Sequence, residues 1–262
     1  MTGPARMKLF HGWLSSASRR VRLCLAEKGI DYDSVPVDLA AQEHHTPAFL
    51  AMNPNGVVPA LVLEDGRFLH ESSTICEYLD EIRPQPPLRP VDPYQRAVMR
   101  NFVRWTDEKL LPHLLVLNWS LALQPVAARW SDAALAERLA RIPTAERREA
   151  WLRIARRPYT DEEKRAALDQ LLALVPRMEA MLADGDWLLG AQYTLADIAA
   201  VPFAARIAEL APQALGAPAV SAWWQRVQAR PAYARARLER FDAALAGRDA
   251  GHGNNHGNNH GA

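Results

Sequence analysis

The feature that most constrains this chain is a run of prolines a third of the way along it. Arg83-Pro84-Gln85-Pro86-Pro87-Leu88-Arg89-Pro90 places four prolines in eight positions. Each removes a backbone donor and fixes φ, so no helix or interior strand crosses this stretch. It reads as a linker over 84–91, and the chain changes character across it. Before it, strand-like and helical patterns alternate. Met7–His11 reads as a strand and Ser18–Lys28 as a helix stopped by Gly29. Ile30–Leu39 follows as a second strand and Thr46–Met52 as a short helix ended by the loop signal Asn53-Pro54-Asn55-Gly56. Val57–Leu63 and Arg67–His70 flank an Asp65-Gly66 hairpin turn, and Ser72–Glu81 closes the set with a helix. That order predicts a small helix-covered sheet over residues 7–83, a complete α/β domain.

Past the linker the pattern is helical over 92–246. One long helix is expected over Asp92–Leu121, with Asp92 as N-cap and Pro93 at the first helical position. Further helices are expected over Ser131–Ala140, Thr160–Leu182, Thr194–Glu209 and Ala219–Ala229. Thr194 and Asp197 have capping-box spacing, with Tyr193 and Ile198 placed for a hydrophobic staple. Residues 247–262 are low-complexity His, Asn and Gly, expected to be disordered. The tail histidines His252, His256 and His260 lack a preformed helical face, so no metal site is expected.

Composition excludes several classes. Apolar residues make up 49% of the chain, enough to build buried cores. Basic and acidic residues number 31 and 30, which leaves no electrostatic footprint for nucleic acid. No apolar run reaches membrane-spanning length, and MTGPARMKLFHGW lacks the long core of a secretion signal. Cys24 and Cys76 lie in apolar helical patterns and read as buried thiols in a reducing compartment. A cytoplasmic location, with neither membrane nor nucleic acid as partner, is expected.

Four motifs in order resemble the cytosolic glutathione transferases. They are Ser15-Ser16-Ala17-Ser18-Arg19-Arg20-Val21-Arg22 after the first strand, Asn53-Pro54-Asn55-Gly56-Val57-Val58-Pro59, Glu71-Ser72 opening a helix, and Thr194-Leu195-Ala196-Asp197. The resemblance spans roughly residues 7–230. It implies a thioredoxin-like N-terminal domain that binds glutathione as co-substrate. It also implies an all-α C-terminal domain that shapes the second-substrate pocket, a detoxification-type role and a homodimer.

What the resemblance implies for each residue has a physical reading. A cis Val58–Pro59 peptide turns the Val58 backbone toward the cysteinyl part of glutathione. The Glu71 carboxylate pairs with the α-ammonium, while Ser72 and free helix N–H groups hold the α-carboxylate. The alternative for Ser72 is simple helix capping, shared with Ser73 and Thr74. His44, with His45 as its neighbour, resembles the histidine that contacts the glycyl end, and Arg19 and Lys28 add positive charge. A serine hydroxyl beside a helix N-terminus stabilises a thiolate by a hydrogen bond and a dipole. Ser15 holds that position and Ser18 is its rival; all three serines of the turn are also N-cap candidates. Neither tyrosine nor cysteine occupies the turn, which points to serine-type classes.

Trp13, His113 and Trp119 are expected to line an aromatic-accepting pocket, although most of the tryptophans should simply be core. Residues 120–165, with Trp105-Thr106-Asp107-Glu108, resemble bacterial transferases related to the lignin β-aryl etherases. The expected activity is attack of the glutathione thiolate on a hydrophobic, aromatic electrophile. The alternatives are β-aryl ether cleavage, isomerisation or peroxide reduction by the same thiolate, and a non-catalytic ligand-binding module.

Overall fold

The computed structural model describes residues 6–238, so the histidine-bearing tail lies outside the described residues. The first half contains β1 (Lys8–His11), α1 (Ser16–Lys28), β2 (Asp33–Pro36), α2 (Pro47–Met52), β3 (Ala60–Val62), β4 (Phe68–His70) and α3 (Ser72–Ile82). The strands form one sheet in the order β2-β1-β3-β4, with β1 parallel to β2 and the other pairs antiparallel. Strand alternation sends neighbouring residues to opposite faces. Leu9 and Leu61 pair in register and join the core under α1 and α3, whereas Phe10 and Ala60 face Phe49 of α2.

Helix ends follow local chemistry. Ser15 caps α1, and Gly29 closes it in the left-handed region at φ 59°, where a side chain would be strained. The β3–β4 turn is braced by Asp65 Oδ1, which accepts from the Arg67 N–H at 3.0 Å.

The helical half departs from the periodicity at its prolines. The long helix expected over Asp92–Leu121 is α4 (Pro93–Trp105), a π turn (Thr106–Leu110) and α5 (Leu111–Ala122). Pro112 has no N–H for the Glu108 carbonyl, and the Leu111 N–H reaches back five residues to Thr106 O. The helix expected over Thr160–Leu182 splits into α9 (Asp161–Leu172) and α10 (Leu174–Met181), because Pro176 cannot bond the Leu172 carbonyl. Between α5 and α9 lie α6 (Gln124–Ala127), α7 (Asp132–Ala140) and α8 (Ala145–Arg156). Of these the sequence pattern had singled out only α7. They enclose a separate small core around Trp151, Leu135, Ile142 and Ile154. The chain continues through α11 (Leu195–Leu210), α12 (Pro218–Ala229) and α13 (Pro231–Arg235).

The two halves share one continuous core: Leu25, Ile75 and Leu79 pack in the same cluster as Phe102, Ile198 and Phe203. The proline segment is tied into both. Asp80 of α3 accepts from Leu88 N at 2.8 Å and Arg89 Nε at 2.7 Å, and it pairs with buried Lys28 of α1. Lys28 also donates to Pro86 O, and Leu195 N donates to Leu88 O at 2.8 Å. At the start of α11 the Thr194–Asp197 capping box is present. Asp197 further accepts from Leu188 N at 3.0 Å and Trp223 Nε1 at 2.9 Å. No helix of the described residues is long and apolar enough to cross a membrane.

Removing one partner of a buried ion pair strands the other, which costs about 3–5 kcal/mol. Asp80→Ala is therefore expected to lower unfolding stability by about that amount in urea titrations. A loss below about 1 kcal/mol, the range of exposed pairs, would contradict this role.

Candidate active site

A cavity of about 430 Å³ opens along the seam of the two halves. The sheet half contributes the Gly12–Ala17 turn, Pro36–Leu39, Glu43, His44, Val57 and Val58. The helical half contributes Leu111, Leu115, Asn118, Trp119, Ala122 and Leu123, plus Arg147 from α8. The α5 positions recur at helical spacing, so they form one mostly apolar stripe.

Ser15 sits where β1 hands over to α1. Its Oγ accepts from Ser18 N at 3.2 Å, which satisfies a free donor at the helix N-terminus. Acting as acceptor leaves its hydroxyl proton without an acceptor among the described residues, and the side chain borders the cavity. Ser18 stands differently. It is fully buried, its Oγ accepts from Gly12 N at 3.2 Å, and it does not border the cavity. It braces the turn from beneath.

Three buried arginines of α1 hold this region. Arg22 donates to Gly12 O, Trp13 O and Arg237 O, each at 3.3 Å, and to Ala236 O at 3.1 Å. Arg19 Nε donates to Trp13 O at 3.3 Å. The Trp13 ring has the guanidinium carbons of Arg22 and Arg237 at 4.7 and 4.6 Å from its centroid, within cation–π range. Arg20 grips Asp107 through two hydrogen bonds of 2.7 and 3.1 Å. It also donates to Thr106 Oγ1 at 3.3 Å and Ser72 Oγ at 3.2 Å. Thr106 and Asp107 belong to the π turn, so that irregularity is what presents them to α1. The added charge expected of Lys28 is spent on Asp80, away from the cavity.

The Val58–Pro59 peptide is cis. The loop before it is self-braced: Asn53 Nδ2 donates to Val57 O at 2.7 Å, and Asn53 Oδ1 accepts from Asn55 N at 3.1 Å. Gly56 at φ 59° cannot take a side chain there, since a Cβ would lie 2.9 Å from the His45 ring. Glu71 stands at the N-cap position of α3 with no side-chain cap bond, at φ 67°, a strained conformation for a residue with a Cβ. Its carboxylate is exposed, and Asn55 Nδ2 approaches it at 3.5 Å. Neither Glu71 nor Ser72 borders the 430 Å³ cavity.

His44 borders the cavity, with its ring centroid 3.9 Å from that of His45 and 6.4 Å from Trp151. Burial and the neighbouring His45 and Arg147 push its pKa well below the ordinary imidazole value. His45 is held at about 4 by burial and Arg147, and His11 at about 3 by burial and Arg22. All three are neutral at neutral pH.

Of the residues expected to bind a second substrate, Trp13 and Trp119 border the cavity and His113 does not. His113 follows Leu111 by two residues, about 200° around the helix, and so lies off the α5 stripe that faces inward. Sequence reading missed Arg147, because α8 itself was not read, and the Arg20–Asp107 pair, because nothing local links residues so far apart. Asn118, whose Oδ1 is buried without a partner among the described residues, was legible only once the α5 stripe was placed.

The glutathione S-transferase N-terminal domain model matches residues 14–82 and the C-terminal domain model residues 144–231. The chain is 32% identical over 240 residues to protein LigF of Sphingobium sp. strain SYK-6, covering 86% of this chain and 91% of LigF. The crystal structure of that β-etherase superposes with a TM-score of 0.79 over 88% of this chain and 98% of its own. Glutathione transferase F7 of Populus trichocarpa superposes with a TM-score of 0.68 at 26% identity, over 88% and 97% of the two chains. A maleylacetoacetate isomerase of Pseudomonas aeruginosa is 50% identical over 93 residues, 35% of this chain and 44% of the isomerase.

The neutral histidines set an acid limit. Below about pH 6.5 the unfolded imidazoles take up protons while the folded ones do not, so stability falls as pH drops toward 4. Each such imidazole contributes a slope of up to about 1.4 kcal/mol per pH unit in that window. Urea midpoints at pH 7 and pH 5 should show the loss, with a shallower slope for His45→Asn. A profile flat down to pH 5 would contradict it.

Proposed function

The chain belongs to the glutathione S-transferase family, and we propose that it activates the glutathione thiol at Ser15 for attack on an aromatic electrophile held between Trp13 and the α5 stripe. Glutathione is its co-substrate. The observation that carries this reading is Ser15 itself, a cavity-facing N-cap whose hydroxyl proton is uncommitted. A thiol of ordinary pKa is mostly protonated at neutral pH, and each unit of depression requires about 1.4 kcal/mol of preferential thiolate binding. A donated O–H bond and the positive end of α1 both supply it. The thiolate sulfur then forms a bond to the electrophilic carbon while the leaving group departs with the bonding pair.

The tripeptide lies along the Val58 backbone, whose N–H and C=O take no hydrogen-bond partner among the described residues. Its γ-glutamyl end reaches Glu71 and Ser72, whose Oγ accepts from Arg20 and so keeps its proton for a carboxylate. His44 marks the other end. Trp13, Leu111, Leu115 and Trp119 supply the apolar and aromatic wall for the electrophile.

A second reading is favoured by the near full-length similarity to LigF, a β-etherase. Here the thiolate displaces an aryloxide from the β-carbon of an aryl ether, forming C–S as C–O breaks. The same thiolate site serves both readings, and a screen with a β-aryl ether alongside an activated chloronitroarene separates them. A homodimer in a reducing, cytoplasmic setting completes the proposal. It is supported by the exposed Phe68, Val91 and Tyr94 and by the two buried free thiols.

Ser15→Ala is expected to lower kcat/KM by about 100-fold or more, the scale for loss of one preorganised donor, with little change in glutathione KM. Ser18→Ala strips the acceptor from a buried Gly12 N–H and should cost about 1–3 kcal/mol of stability with a far smaller rate effect. The reverse ranking of the two rates would overturn the assignment of Ser15.

A further inference from the structure

The cavity wall holds an unbalanced charge. Among the described residues that border it, Asp38, Glu43 and Arg147 carry formal charge. The two acids are occupied by their own loop: Asp38 Oδ1 accepts from Ala40 and Ala41 N–H groups, and Glu43 Oε2 accepts from Asp38 N. Arg147 has no carboxylate within ion-pair distance among the described residues. Its backbone N–H is fixed on the Thr144 cap at 3.3 Å, and its guanidinium carbon lies 5.9 Å from the Trp119 ring centroid. Burial lowers its pKa, and Glu146 and Glu71 act on it only through space.

Arg147 is half-buried, and a guanidinium on an apolar wall meets a carboxylate with paired donors. Glutathione ends in a glycyl carboxylate that needs such a partner. His44 borders the same cavity but is neutral, so it offers a ring nitrogen and no charge.

We propose that Arg147 receives the glycyl carboxylate of glutathione, so that the helical half completes a binding site the sheet half leaves open. The inference rests on the glutathione reading above and adds to it a residue from outside the thioredoxin-like half. Val58, His44 and Arg147 border one cavity, so a peptide laid on Val58 with its γ-glutamyl end toward Glu71 has its glycyl end to place against His44 and Arg147. The segment that carries Arg147 is also docked on the loop that carries His44. Arg138 Nη1 donates to Ala41 O at 3.2 Å, and Trp151 packs against both His44 and His45 at 6.4 Å between centroids. Insertion of α6–α8 therefore brings a cation to a loop that has none of its own to offer.

The test compares binding of glutathione and its glycyl carboxamide to wild type, Arg147→Gln and Arg147→Lys by calorimetry, each variant first checked by thermal melting. Wild type should bind the acid about 10- to 100-fold more tightly than the amide, the scale of a hydrogen-bonded charge pair. Arg147→Gln should bind both with the affinity of the amide, and Arg147→Lys should fall between. Undiminished discrimination in Arg147→Gln overturns the proposal. So does unchanged glutathione binding with a raised KM for a carboxylated electrophile, which would give Arg147 to the second substrate. Wild type that binds acid and amide alike overturns the glycyl anchor alone, whereas wild type that binds neither overturns the glutathione reading as well.

Discussion

A buried guanidinium needs acceptors from the protein, and α1 brings three of them into the centre of this molecule. Arg19, Arg20 and Arg22 are each at most 4% exposed. Taking such charges out of water is favourable only when the protein supplies acceptors for them. Arg22 and Arg19 find theirs in the carbonyls of the Gly12–Trp13 turn and of residues 236–237. The two terminal nitrogens of Arg20 find theirs in the π turn of the opposite half and in Ser72, while its Nε is buried without a partner among the described residues. Moving either partner strands a buried charge. The Gly12–Ser15 turn, the start of α3 and the helical half are therefore held in one mutual geometry.

That geometry places the cavity at the seam, so neither half makes a complete site. The sheet half presents Ser15 at a helix start and the Val58 backbone beside it. The helical half presents an apolar stripe on α5 and a charge on α8. In the proposed role Ser15 serves twice with one hydroxyl, because capping uses its oxygen as acceptor and leaves its proton to donate to a thiolate. His44 is held neutral chiefly by burial, so it brings a ring nitrogen and no charge to the cavity wall.

Much of the fold was legible in the sequence because its signals are local. Periodicity and punctuation gave α1, with its Gly29 stop, and the Asp65-Gly66 hairpin. The Thr194–Asp197 box gave the start of α11. Proline effects deep inside apolar runs were not read: Pro112 and Pro176 each divide a helix that periodicity alone leaves whole. Helix α8 was missed because Trp151, Ile154 and Ala155 form only a short apolar patch among charges. With α8 went Arg147. The Ser15–Ser18 choice turned on which hydroxyl faces outward, and spacing along one chain does not specify that. His113 erred for the same reason, since its side of α5 depends on which stripe the core and cavity take.

The proposed role of Ser15 is to lower the pKa of a bound thiol. Ultraviolet difference absorbance of glutathione bound to wild type and to Ser15→Ala, followed across pH, measures that pKa directly. The thiolate signal in wild type should titrate at least about one unit below the free thiol near 8.5, and in Ser15→Ala it should return toward that value. An identical midpoint in both proteins, or a wild-type midpoint at the free-thiol value, would contradict the account.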